Sequence, residues 1–155
     1  MMSSQVIQKT WGEFTPDEVF EMAVLRSEVF FLEQKIDEEE FDAADRDPST
    51  IHLWITDDEG MAGYLRIVHN PQAAAEHEGI PDSLGRMVVR RTARGQGLAQ
   101  ALMTRALELA GDKSLYLHAQ GYITSLYSQF GFEAHGETFL EAGIPHVLMV
   151  RHPHA

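Results

Sequence analysis

The sequence predicts an α/β domain built on a mixed sheet, and three observations predict it. Ile51, Leu53 and Ile55 alternate with His52, Trp54 and Thr56, and Gly63, Leu65 and Ile67 repeat the pattern after Asp57-Asp58-Glu59-Gly60, which reads as an antiparallel, half-buried hairpin. Leu84–Val89 and Leu115–Ala119 are short apolar runs that suit strands buried on both faces. Between them Leu98, Leu102, Ala106 and Leu109 recur at helical spacing, so strand, helix and strand follow in order and the two strands should lie parallel. A chain of 155 residues fits one domain, 1–155, in which these units share a sheet.

The remaining elements fall around this centre. Ser4–Lys9 reads as a first strand. Thr15-Pro16-Asp17-Glu18 starts a helix, with Thr15 as N-cap, Pro16 in the first turn and Glu18 closing a capping box. That helix turns Val19, Met22, Ala23, Leu25, Val29 and Phe30 to a core and ends near Gln34. Asn70–Ser83, edged by Pro71, Gly79 and Pro81, reads as a loop with room for a helical turn. Gly111 stops the central helix. Ile123, Leu126, Tyr127 and Phe130, at i, i+3, i+4 and i+7, form a short helix closed by Gly131. Phe132–Arg151 then supplies two strands joined near Ala142-Gly143.

Composition excludes several functions. Lys and Arg number 12 against 24 Asp and Glu, a formal charge of −12, so phosphate backbones are repelled by most of the surface and no nucleic-acid partner is expected. Much of that charge lies in EQKIDEEEFDAADRDPS, from Glu33 to Ser49, which reads either as a solvated loop or as an electrostatic funnel for an amine. The absence of cysteine removes disulfides, thiolate nucleophiles and Cys-ligated zinc, and suits a reducing cytoplasm. The histidines are scattered, with no His-x-x-x-His pair, so no metal is expected. No stretch approaches a membrane-spanning length and the N-terminus lacks a signal-peptide core, so a cytoplasmic protein, monomeric or homodimeric, is expected.

Against this acidic background Arg90-Arg91-Thr92-Ala93-Arg94-Gly95-Gln96-Gly97 concentrates positive charge at a glycine turn between strand and helix. A helix N-terminus offers N–H groups with no intrahelical partner and the positive end of the helix dipole, which makes it an anion site. The turn is not a P-loop, because no Lys-Ser or Lys-Thr follows it. Nor is it a dinucleotide fingerprint, because Gln100 stands where Gly-x-Gly-x-x-Gly needs its third glycine.

Arg94-Gly95-Gln96-Gly97-Leu98-Ala99 does match Arg/Gln-x-x-Gly-x-Gly/Ala, the signature of the GNAT superfamily of N-acetyltransferases, and it stands between a Met-Val-Val strand and an amphipathic helix as it does there. Gln120–Phe132, QGYITSLYSQFGF, resembles the superfamily's second landmark, a helix with a Tyr ahead of Gly-Phe, with Gln120 where Asn is common. Leu25–Gln34, Asp42–Asp45 and Ala142–Met149 are similar to an ElaA-like subgroup. The resemblance covers nearly the whole chain. It implies a GNAT-like fold, mostly antiparallel with two splayed parallel central strands, and transfer of an acetyl group from acetyl-CoA to an amine by direct attack.

The resemblance also implies roles. Main-chain N–H groups of Arg94, Gly95, Gln96, Gly97, Leu98 and Ala99 would hold the pyrophosphate of acetyl-CoA, and Met87, Val88 and Val89 would pair with its pantetheine arm like an added strand. Gln120 would supply an amide contact. The Val89 N–H would stabilise charge on the thioester oxygen, and Tyr127, a phenol still protonated at neutral pH, would protonate the leaving thiolate. Tyr127 also lies on an apolar helix face and reads equally as core. Glu33, His118 and His146 are candidates for the acceptor side or its base. They read otherwise as a helix-end carboxylate and two structural histidines. The rival to an enzyme is a non-catalytic acyl-CoA-binding or sensing module, which keeps the turn and tolerates loss of Tyr127.

Overall fold

Thr15 starts the first helix by the expected device: its hydroxyl accepts from the Glu18 N–H at 3.1 Å while Glu18 Oε1 accepts from the Thr15 N–H at 2.9 Å. In the computed structural model, which describes residues 5–153 and only the backbone of Tyr122, helix α1 spans Pro16–Arg26. It runs on as a π-helical segment, Ser27–Glu33, capped by Gln34. The short helix α2 spans Ala43–Arg46, α3 Leu98–Ala110 and α4 Thr124–Ser128. Seven strands, β1 Ile7–Lys9, β2 Ile51–Asp57, β3 Gly60–His69, β4 Asp82–Val89, β5 Leu115–Gln120, β6 Glu133–Glu141 and β7 Ile144–Arg151, form one sheet in the order β1-β2-β3-β4-β5-β7-β6. Only the β4–β5 pair is parallel among the described strands. The first strand begins at Ile7, and Ser4 lies outside the described residues. Among the described residues, no helix is long and apolar enough to cross a membrane.

The β2–β3 hairpin departs from the half-buried expectation, because helices cover both of its faces. Leu53, Ile55, Leu65 and Ile67 pack towards α3 with Leu98, Leu102, Met103 and Ala106. Trp54 and Tyr64 pack towards α1 with Met22, Leu25 and Val29. The polar residues of this second face are buried with partners: His52 bonds Tyr64 Oη at 2.6 Å and the Asp45 carbonyl at 3.0 Å. Since that carbonyl only accepts, His52 carries its proton on Nε2. Burial pushes its pKa down and keeps the ring neutral.

Strand β4 carries a bulge. Tyr64 pairs with Val88 but Arg66 pairs with Gly85, so two residues, Arg86 and Met87, face Leu65 alone. Arg86 takes φ +55° at this point. The extra residue reverses the alternation: Leu84 lies in the α3-side core and Val88 in the α1-side core, although they are four apart. β4 and β5 share the single register pair Ser83↔Tyr116, near the starts of both strands, and part beyond it. This is the expected splay. At the other end of the sheet, Ala142 (φ +53°) and Gly143 (φ +75°) make the two-residue turn between β6 and β7.

The acidic segment divides: Asp37, Glu38, Glu39 and Asp47 are exposed, while Glu40, Asp42 and Asp45 are drawn into ion pairs. Arg26 donates from Nη1 to Asp45 Oδ1 at 2.7 Å and from Nε to Glu40 Oε2 at 2.6 Å. Arg66 Nη1 donates to Asp42 Oδ1 at 2.7 Å and to Asp45 Oδ1 at 2.9 Å, and Arg86 Nε to Glu40 Oε2 at 3.1 Å. Three carboxylates thus neutralise three guanidiniums between α1 and the sheet. The reason is stoichiometric: Arg26 is wholly buried and Arg66 nearly so, and a buried charge needs a partner.

Candidate active site

The splay of β4 and β5 opens two grooves that meet. One, about 670 Å³, runs over Met87, Val88 and Val89 to Arg94, Gly95, Gly97, Leu98 and Ala99. The other, about 370 Å³, is lined by Arg86, Tyr116, His118, Gln120, Tyr127, Glu141 and His146 among others. Gln34, Met87 and Ile123 line both, so the two grooves adjoin beside the bulge.

The first groove has the features of an anion cradle. Gly95 and Gly97 both take φ +79°, a left-handed conformation in which glycine is favoured, and a Cβ on either would meet nothing within 4 Å. Gly97 is the N-cap of α3 and no side chain caps the helix, so its first N–H groups face open space. Just past β4 the Arg90 N–H donates to the Ala62 carbonyl of β3 at 2.7 Å. Ladder alternation then sends the Val89 N–H the other way, into the opened gap. Met87, Val88, Val89, Arg94, Gly95, Gly97, Leu98 and Ala99 therefore line one surface, with Gln96 exposed in the same turn.

The arginines of that turn are not equivalent. Arg90 pairs with Asp57 and donates to the Met61 carbonyl at 3.2 Å, fastening the turn to the β2–β3 hairpin. Arg94 donates from Nε to the Val89 carbonyl at 3.0 Å and from both Nη atoms to Glu33, at 2.9 and 3.0 Å. The guanidinium of Arg94 holds the Glu33 carboxyl below the usual range. Arg91 is exposed and makes no ion pair with any described residue, so it carries the free positive charge of the turn.

In the second groove Tyr127 is buried, 7 % exposed, with its ring edge-on to Phe132 at 6.2 Å. It packs in the core and also lines the groove. Gln120 Nε2 donates to Gln34 Oε1 at 3.1 Å, tying the end of β5 to the end of the π-helical segment beside the junction. His118 Nδ1 lies 2.9 Å from Glu141 Oε1, and His146 Nε2 lies 3.6 Å from Glu141 Oε2. The His118 hydrogen bond holds the Glu141 carboxyl below its ordinary range.

The structure brings His118 and His146 together and separates Glu33 from them: Glu33 lines the Arg94 groove, bound at both oxygens. The sequence reading missed Glu141, Arg86 and Gln34. Register places Glu141: Phe139 pairs with His146 and Leu148 with His118, so His118, His146, Phe139 and Glu141 fall on one face. The placement of Arg86 depends on the bulge.

Comparison with known proteins agrees with this architecture. The acetyltransferase (GNAT) domain family matches residues 12–152. A UPF0039 protein of Mycobacterium tuberculosis is 35 % identical over 152 residues, which is 96 % of this chain and 94 % of that protein. The crystal structure of an acyl-CoA N-acyltransferase from Pseudomonas aeruginosa is 38 % identical and superposes with a TM-score of 0.84, covering 96 % of this chain and 99 % of that one. The crystal structure of Escherichia coli ElaA, 27 % identical, gives a TM-score of 0.85 over the same shares. The chain therefore belongs to the GNAT acetyltransferase family, as an ElaA-like member.

Proposed function

We propose that the protein is an acetyl-CoA-dependent N-acetyltransferase that acts on a primary amine, working in the cytoplasm where that thioester is available. The observation that carries this reading is the meeting of the two grooves at Met87, which lets a donor in one reach an acceptor in the other. The residues fit the donor. Open space at two left-handed glycines and an uncapped 13-residue helix suit a pyrophosphate, and the strand segment Met87–Val89 lining the same groove suits an amide-bearing arm. Acetyl-CoA supplies an acyl carbon activated as a thioester. The Val89 N–H is aimed at the gap where negative charge would grow on the thioester oxygen; one such donor contributes about 10²–10³ in rate. Tyr127 lines the second groove, next to the shared Met87 and Ile123, and would give its proton to the departing sulfur. The acceptor enters past Glu38 and Glu141, which line the second groove, and Glu38 has no ion pair among the described residues. A cationic amine matches that remainder of charge.

Calorimetry with acetyl-CoA and thiol-release assays over a panel of amines test the proposal. Tyr127→Phe is expected to lower kcat about 10²-fold or more while the acetyl-CoA Kd stays within about twofold. Binding without thiol release for any amine would instead favour an acyl-CoA-binding module, and no binding at millimolar acetyl-CoA would refute both.

A further inference from the structure

Direct attack needs a neutral amine, and the acceptor groove contains a titratable cluster suited to produce one. The Ile144 carbonyl lies 2.7 Å from His146 Nδ1, and a carbonyl only accepts, so His146 carries its proton on Nδ1. The Glu141 carboxylate also only accepts. His118 therefore holds its proton on Nδ1 as well and keeps its lone pair on Nε2. The two rings differ in access: the His118 side chain is 29 % exposed and that of His146 only 7 %. His118 is confined by Phe139 edge-on at 5.1 Å, His77 at 5.3 Å and Tyr116 at 6.0 Å, which leaves little freedom to leave the carboxylate.

We propose that His118 is the base that takes the proton of the acceptor ammonium, and that Glu141 is the residue that positions it. The inference rests on the acetyl-transfer reading and names the group that reading leaves open. Glu33 does not compete, since both of its oxygens are held by Arg94 in the other groove. The groups facing the pair are His146 from β7, His77 from the 3₁₀ turn Pro71–His77, Arg86 from the bulge of β4, and Glu38 and Glu40 across the groove. Glu40 is itself paired with Arg26 and Arg86.

The proton balance closes. The ammonium gives one proton to His118 Nε2, and the imidazolium so formed is held by Glu141. The freed lone pair forms the C–N bond at the thioester carbon, the C–S bond breaks, and sulfur takes its proton from Tyr127. The second proton lost by the nitrogen restores Tyr127. Ammonium and thioester thus give amide, thiol and one proton that His118 passes to solvent.

The test combines imidazole ¹⁵N NMR of the unsubstituted protein with pH profiles of kcat/KM for the best amine of the panel. His118 is expected as the Nδ1–H tautomer. His118→Gln should lower kcat/KM for the amine about 10²–10⁴-fold and abolish the acidic limb of the profile, with acetyl-CoA affinity unchanged. Glu141→Gln should lower kcat/KM for the amine with acetyl-CoA affinity unchanged, because the ring loses the carboxylate that holds it, and Glu141→Asp should restore it in part. An Nε2–H tautomer, or His118→Gln retaining the limb and full turnover, overturns this inference while leaving acetyl transfer standing. An unsubstituted protein that binds acetyl-CoA but releases no thiol with any amine overturns acetyl transfer, and this inference with it.

Discussion

Asp45→Asn tests the charge network under the acceptor groove. Asp45 is 1 % exposed and accepts four hydrogen bonds: from Arg26 at 2.7 and 3.2 Å, from Arg66 at 2.9 Å and from the Asp42 N–H at 3.0 Å. Asparagine keeps the shape but removes the charge and turns two N–H donors towards guanidiniums that can only donate. Three arginines then face two carboxylates, Glu40 and Asp42. Breaking a buried pair costs about 3–5 kcal/mol. The surviving carboxylates place the loss at the lower end, about 3 kcal/mol, against a total stability of about 5–15 kcal/mol. For a chain of this size each kcal/mol lowers the thermal midpoint by about 2–4 °C, so a fall of about 6–12 °C is expected. Thermal melts followed by circular dichroism at pH 7 measure it. Acetyl-CoA affinity, which depends on the other groove, should be unchanged. A midpoint within about 2 °C of the unsubstituted protein would refute the view that these charges are energetically closed on one another.

The same network sets a pH dependence. The Arg66 hydrogen bonds hold the Asp42 carboxyl at about 2; burial pushes Asp45 up, but Arg26 and Arg66 outweigh it and hold it below its ordinary value. Both folded values lie below the unfolded one of about 3.9, so this stabilisation is complete above that pH and is lost as pH falls towards 2. The midpoint should drop across this window, and by less in Asp42→Asn; equal drops in both proteins would count against it. At the turn, Gly97→Ala forces an alanine to φ +79°, a cost of about 1–2 kcal/mol, with no clash in the protein. Its methyl enters the groove proposed to hold the donor, so acetyl-CoA affinity should fall about tenfold by calorimetry, and an unaltered Kd would remove the turn from that proposal.

Legibility in the sequence followed the range of the interactions. The capping box at Thr15 and Glu18, the βαβ order around Leu98–Ala110 and the two-residue turn at Ala142-Gly143 are local, and each was read within a few residues of its place. The Arg94–Ala99 turn was equally legible, because its glycines answer a backbone demand made within the turn itself. The acidic segment was only partly legible because a run of carboxylates carries no mark of which ones meet arginine: Asp45 lies 19 residues from Arg26 and 21 from Arg66. Glu141 was overlooked because its chemistry depends on strand pairing across β5, β7 and β6.

The sequence by itself therefore determined the order of elements and the position of the glycine turn ahead of the central helix, since these follow from periodicity, glycine and helix-end chemistry. The tertiary structure decided which of them meet. One inserted residue at Arg86-Met87 reverses the faces of β4, and beyond Ser83 and Tyr116 that strand and β5 part. The same assembly binds Glu33 to Arg94 and brings His118 to Glu141. Contacts between residues far apart in the chain depend on register and burial, and only the folded sheet fixes those.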